Sequence, residues 1–255
     1  MNKRILAIHA HPDDIEILAA GSLALLASAG HSITMVTMTP GDLGSTEMTQ
    51  ERTAETRRRE AASSARIIGA EYICAEFRDL CIFIDDASRR RVCEILRCAR
   101  PDIVLTASPI DYLCDHESTS VLVRDAMFGA PIPNYATGDP NPAPRLSELP
   151  HLYFMDPIGG VDRDDKLVMP DFFVDVGASF DTKRRMLMEH ASQREWLLRH
   201  HGIDDYIIMM ERHTEARGKL AGVGYAEGFR RYKGHPYPQT PLLEELLGGA
   251  VHKPA

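Results

Sequence analysis

Residues 9–14 read HAHPDD, and residues 111–117 read DYLCDHE. The first run sets His11, Asp13 and Asp14 within four residues, and the second sets Asp115 beside His116. Imidazole nitrogens and carboxylate oxygens are the groups that hold zinc and related divalent metals. His11 and Asp14 from the first run make two imidazoles and one carboxylate with His116 from the second, or one imidazole and two carboxylates with Asp115. That count leaves positions open on a metal, as catalytic sites do. Asp13 is then left over. A free carboxylate beside a metal can take a proton from water whose pKa the metal has lowered toward ~7. Pro12 stiffens the turn between His11 and the two aspartates. Each residue alone has a plainer reading: Asp13 or Asp14 as a helix cap, His11 as a buried histidine bonded to a neighbour, Glu16 as a capping or first-turn charge. The set taken together points to a metal centre.

Such a set works only if two distant segments meet. RILAIHAH (4–11) is short and continuously apolar, as buried parallel strands are. Helical spacing follows from Ile15 to the stop at Gly30. Further strands are expected over 32–39, about 70–77 and 102–108, with helices over about 49–69, 87–100 and 114–129. Alternating strands and helices imply βαβ units and a Rossmann-like α/β fold, with a mostly parallel sheet flanked by helices. In open sheets of this kind ligands bind at the carboxyl ends of the strands. Strand one is normally central and strand four lies beside it, which brings 9–14 and 111–117 to one crevice. Beyond these units we expect a loop over 129–150, strands over 151–156 and 171–177, helices over about 179–200 and 205–221, and an irregular tail from about residue 234. No linker is evident, so residues 1–255 read as a single domain.

The chain has 255 residues, 44% of them apolar, and a formal net charge of −8. A sizeable core can form. The acidic balance argues against nucleic acid or an anionic membrane surface as partner. The basic runs 57–59, 89–91 and 183–185 lie in helix-like segments and read as solvated faces. Five cysteines without a CxxC spacing predict neither a disulfide framework nor a zinc knuckle. Cys114 reads as a small packed side chain. His190, His200, His201 and His213 read as surface or helix-end histidines, and Trp196 with the methionines of 186–210 as core or interface. No signal pattern or apolar run of membrane-spanning length is visible, so a cytoplasmic location is expected.

AHPDDIE (10–16) with the later DHEST (115–119) resembles the LmbE/PIG-L family of zinc-dependent N-acetylglucosaminyl deacetylases. MTPGDLGS (38–45), TRRREAASSARIIGA (56–70) and GYAEGFR (224–230) resemble further elements of that family. The resemblance implies hydrolysis of an N-acyl group, usually acetyl on a 2-amino sugar, with a Zn²⁺ cofactor, a small-molecule substrate and a homo-oligomeric state. Carried over residue by residue, it implies His11, Asp14 and His116 as zinc ligands, Asp13 as general base and Asp115 as support for the last ligand. Arg57 matches an arginine that reaches the substrate. One departure stands out. The family commonly reads HPDH where this chain reads LCDH, so Leu113 occupies the place of a histidine that stabilises the oxyanion or protonates the leaving amine. Tyr112 and His235 are the nearest candidates for a replacement donor.

Three rivals follow from the same residues. A sugar-binding pseudoenzyme would explain Leu113. A non-haem iron enzyme also uses two histidines and one carboxylate, though βα alternation and the spare Asp13 argue against it. A nucleotide-binding module would need a glycine-rich turn after the first strand, where this chain has carboxylates that repel phosphate.

Overall fold

The computed structural model describes residues 2–194 and 205–254. Trp196, His200 and His201 lie outside that range. Eight strands form one sheet: β1 Arg4–His9, β2 Ser32–Thr37, β3 Glu71–Cys74, β4 Ile103–Thr106, β5 His151–Met155, β6 Phe172–Asp175, β7 Ala226–Arg231 and β8 Val251–His252. Their order is β3-β2-β1-β4-β5-β7-β6-β8. The pairings from β3 through β5 are parallel, and those of β7 with β5 and β6, and of β6 with β8, are antiparallel. The topological switch falls between β1 and β4, as the positions of the two motifs require.

Both faces of the sheet are covered, which is why β1 carries no polar alternation. Ile5 and Ala7 point into one apolar cluster, while Leu6, Ile8 and Ala10 point into the other. The helices are α1 Asp14–Leu18, α2 Ala20–Ser28, α3 Gln50–Ile67, α4 Asp86–Ala99, α5 Cys114–Gly129, α6 Phe180–Met188, α7 Asp205–Ala221 and α8 Leu242–Leu247. Thr49 caps α3, and Asp85 caps α4 through the Ser88 N–H at 2.7 Å.

Several expectations are corrected. The helix expected to run from Ile15 to Gly30 breaks at Ala19, where φ is −144°. The Gly21 and Ser22 N–H groups, freed by that break, donate to the buried Glu227 carboxylate at 2.9 and 2.8 Å. The helix expected over 179–200 also breaks, after α6. The tail is not irregular throughout, since LLEELL forms α8 with Leu243 buried, and Val251–His252 adds an edge strand. Strand β7 runs through the GYAEGFR segment, where no strand was expected. Two of the basic runs are not solvated faces at every position: Arg57 and Lys183 are buried. His190 is buried rather than superficial, and Cys114 is exposed rather than packed. The segment between α5 and β5 carries no helix or strand, but Glu94 pins it by accepting from Thr137 Oγ1 at 2.6 Å and from the Ala143 N–H.

Candidate metal centre

Strand β1 ends at His9, and residues 10–13 turn the chain into α1. Asp13 makes that turn with φ 98° and ψ −28°, a left-handed backbone that is uncommon for a residue with a side chain. The turn aims two carboxylates in different directions. Asp14 starts α1 with its side chain toward β4 and α5, and its Oδ2 also accepts the His11 N–H at 2.8 Å. On the other side of the switch point, α5 begins just after Leu113 and carries Asp115 and His116 inward, both buried.

Three imidazoles surround one carboxylate oxygen. Asp14 Oδ2 lies 2.7 Å from His9 Nδ1, 3.3 Å from His11 Nδ1 and 3.4 Å from His116 Nε2. The His9, Asp14 and His116 ligand atoms all lie within 4.8 Å of one another. Behind His116, Asp111 places a carboxylate oxygen 3.1 Å from Nδ1, close but off-axis for a hydrogen bond. Behind His11, Asp115 lies 3.3 Å from Nε2 and accepts the Leu80 N–H at 2.7 Å. Carboxylates behind metal-ligating imidazoles are the usual means of fixing ring orientation. His9 Nε2 is buried with no partner among the described residues. Imidazoles and a carboxylate aimed at one point suit a divalent cation with borderline nitrogen and oxygen affinity, zinc foremost.

The charges respond to that crowding. Burial would lower the His11 pKa, but hydrogen bonds to Asp115 and Asp14 override it and push it up to about 10. Burial likewise works against the His116 charge, and Asp14 and Asp111 raise its pKa in spite of it. Burial would raise the Asp14 carboxyl, yet His116 and His9 hold it well below the usual carboxylate range. Asp13 goes the other way: burial raises it, and the Arg57 guanidinium only partly offsets the rise.

A crevice of about 350 Å³ opens over this cluster, a size within the range of small-ligand sites. His11, Asp13, Asp14, Arg57, Tyr112 and His116 all line it, so six of the eight residues singled out from the sequence meet here. Asp115 sits one layer behind. His235 is exposed on the turn after β7 and is not among the lining residues. Arg57 spends its fork on the protein: Nη2 donates to Pro12 O at 2.8 Å and to Asp13 Oδ2 at 3.2 Å, and Nη1 to Gly41 O at 3.1 Å. The close approach needs glycine at 41, where φ is +71° and a Cβ would sit 2.2 Å from Arg57 Nη1. Leu113 lines the crevice and offers no polar group. Tyr112 stands at its mouth, 70% exposed, with its ring edge-on to His116 at 5.5 Å between centroids.

Two site residues escaped the sequence reading. His9 is the last residue of β1, two residues before His11, and that spacing was its available signal. Asp79 lines the crevice with one oxygen taken by the Leu43 N–H at 3.0 Å and the other, buried, without a partner among the described residues. Its sequence context, FRDL, carries no pattern that marks it.

The switch-point crevice and its histidine–aspartate cluster define an α/β protein with a candidate metal-binding centre. Residues 6–127 match the family described as "PIG-L: GlcNAc-PI de-N-acetylase". The chain is 27% identical to the diacetylchitobiose deacetylase of Thermococcus kodakarensis, covering 89% of this chain and 82% of that protein. It is also 27% identical to the 4-oxalmesaconate hydratase of Pseudomonas putida, covering 89% and 88%. The solved structure of N,N'-diacetylchitobiose deacetylase from Pyrococcus horikoshii superposes with a TM-score of 0.77 at 25% identity, covering 94% of this chain and 88% of that one. No helix among the described residues is long and apolar enough to cross a membrane.

Proposed function

We propose that the protein is a zinc-dependent amide hydrolase that removes an N-acetyl or related N-acyl group from an amino sugar or similar small molecule. The observation that carries this reading is the convergence of His11, Asp14 and His116 on the crevice with Asp13 beside them. His9 belongs to the tight cluster but not to the crevice lining, and its Nδ1 lies against Asp14. We therefore assign His11, Asp14 and His116 to the metal and His9 to orienting Asp14. Bound zinc supplies Lewis acidity, which makes water a nucleophile near neutral pH and polarises an acyl carbonyl.

The chain's own residues do the rest. Asp13 accepts a proton from the attacking water and returns it to the departing amine nitrogen as the C–N bond breaks. Asp115 and Asp111 hold the His11 and His116 rings in place. Asp79, with an unpartnered oxygen on the crevice wall, accepts a hydrogen bond from a sugar hydroxyl. Tyr112 is the remaining candidate donor toward the developing oxyanion or the amine. A cytoplasmic location and a homo-oligomeric state remain part of the reading.

Leu113 favours a second reading, hydration of a carbon–carbon double bond. No amine departs in that reaction: the water oxygen bonds to one carbon and a proton goes to the other, so no donor toward a leaving nitrogen is needed at Leu113. The charge on the crevice argues the other way. Asp13, Asp14 and Asp79 line it, and the one arginine among its described lining residues is committed to Pro12, Gly41 and Asp13. Beyond the metal itself, the described lining offers a polycarboxylate no uncommitted guanidinium or ammonium to pair with, a demand that a neutral acetamido sugar does not make. The test is an assay for released acetate on N-acetylglucosamine derivatives, run with zinc and with chelator. Zinc-dependent release supports the proposal. Sugar binding without release identifies a binding module, and turnover of an unsaturated carboxylate alone identifies a hydratase.

A further inference from the structure

Asp13 is gripped from two directions. Arg57 Nη2 reaches its Oδ2 from α3 at 3.2 Å, and the Tyr206 hydroxyl donates to the same oxygen from the first turn of α7 at 2.6 Å. Tyr206 is 4% exposed and packs in the core cluster beside α1. Its helix comes from the last third of the chain, outside residues 6–127.

A buried tyrosine needs some partner for its hydroxyl, and a backbone carbonyl would serve. Here the partner is the carboxylate that faces the crevice, at a length typical of an O–H···O⁻ bond. Both donors use Oδ2. Among the described residues Oδ1 has no hydrogen-bond partner, so the carboxylate has one fixed oxygen and one free one. The left-handed backbone at Asp13 makes this hold consequential. A strained turn persists only where its surroundings over-determine it, and Tyr206 with Arg57 supplies that restraint.

We propose that Tyr206 is a positioning residue for Asp13: it locks Oδ2 so that Oδ1 alone faces the attacking water. This rests on the amide-hydrolase reading of the site. Water gives its proton to Oδ1, and its oxygen bonds to the acyl carbon. The same proton then passes from Oδ1 to nitrogen as the C–N bond breaks. Amine and carboxylic acid leave, and Tyr206 keeps its hydrogen throughout.

Tyr206→Phe removes one oxygen and little else, and two measurements test it. In steady-state kinetics on an acetamido sugar, kcat should fall about tenfold or more with KM and bound zinc unchanged. In a double-mutant cycle on the metal-free protein, Tyr206→Phe should lower the unfolding midpoint in the wild-type background and not in an Asp13→Ala background, because the hydroxyl has lost its acceptor there. Equal midpoint shifts in both backgrounds would overturn the proposal. So would an intact cycle with unchanged kcat, which would mark a contact of structural use only. If the wild-type protein releases no acetate, the hydrolase reading fails, and the cycle, which needs no substrate, decides the Tyr206 claim alone.

Discussion

Lys183 Nζ and Glu227 Oε1 lie 2.6 Å apart with essentially no exposure to solvent. Lys183 also donates to Ile17 O at 2.7 Å, and Glu227 accepts from the Gly21 and Ser22 N–H groups and from Ser22 Oγ at 2.6 Å. One ion pair thus ties α6 and β7 to the junction of α1 and α2, the helix break just behind Asp14. Removing one partner of a buried pair strands the other charge and costs about 3–5 kcal/mol. Glu227→Gln should lose stability on that scale in urea unfolding and weaken zinc retention, because α1 loses its anchor. Lys183→Met combined with Glu227→Leu should recover part of the stability. A Glu227→Gln protein as stable as wild type would show that the pair contributes little.

The assignment of base and ligands separates two kinds of loss. Asp13→Asn keeps the side-chain shape but cannot accept the proton, so activity should drop by about 10²–10⁴ with zinc retained. His116→Ala should lose zinc in elemental analysis. Normal turnover by the first variant, or a full zinc complement in the second, removes the corresponding role.

Much of this architecture was legible in the residues because parallel strands buried on both faces are continuous apolar runs, and β1, β2 and β4 are such runs. The site was legible because His11, Asp13, Asp14 and His116 are polar groups placed where those runs end. What escaped notice depends on long-range partners. Glu227 marks a motif, but its use by Gly21 and Ser22, some two hundred residues earlier, breaks a helix whose own periodicity is unbroken. Lys183 sits in a basic run whose pattern matches a solvated face, and only its partner takes it inside. Tyr206 lies in a helix with no motif at all. His235 looked eligible by residue type, and its distance from the crevice is set by the path of the chain after β7.

Leu113 invites the reverse experiment. It lines the crevice beside His116, where a histidine could reach the developing oxyanion or the amine. If this enzyme cleaves amides with a weaker donor, Leu113→His should raise kcat on an acetamido sugar by about tenfold or more, since one such donor commonly contributes at least that much. Tyr112→Phe should lower kcat in the wild type and matter less in the Leu113→His background. A slower Leu113→His enzyme would mean that leucine shapes the crevice for a different substrate.

Metal binding should be strongly coupled to protons. In the metal-free protein Asp115 and Asp14 hold the His11 pKa up at about 10, and Asp14 and Asp111 raise that of His116. His11 is then largely protonated at neutral pH, His116 holds its proton more tightly than a free imidazole, and both must be deprotonated to ligate. Zinc affinity should rise with pH up to about 10, and calorimetry in buffers of different ionisation enthalpy should register proton release near neutrality. Asp115→Asn lowers the His11 pKa, so it should reduce the proton count even as it loosens the ring. Zinc uptake with no proton release would contradict the assignment of His11 as a ligand.

The buried pair behind the site predicts a pH window of stability. Glu16 Oε1 lies 3.0 Å from His190 Nε2 and accepts from Ser64 Oγ at 2.6 Å. Burial works against both charges, but His190 holds the Glu16 carboxyl below its ordinary 4.5, and Glu16 holds the His190 imidazole above its ordinary 6.5. A raised histidine contributes stability that is complete below its unfolded value and fades as pH rises through its folded one. A lowered carboxylate contributes stability that is complete above its unfolded value and fades as pH falls through its folded one. The pair therefore contributes fully between about 4.5 and 6.5 and less on either side. His190→Gln keeps a hydrogen-bond donor and removes the charge. The stability gap between wild type and His190→Gln, measured by urea unfolding, should be widest near pH 5–6 and narrow toward pH 9. A gap constant across that range would mean that His190 is neutral in the fold and acts only as a hydrogen-bond donor.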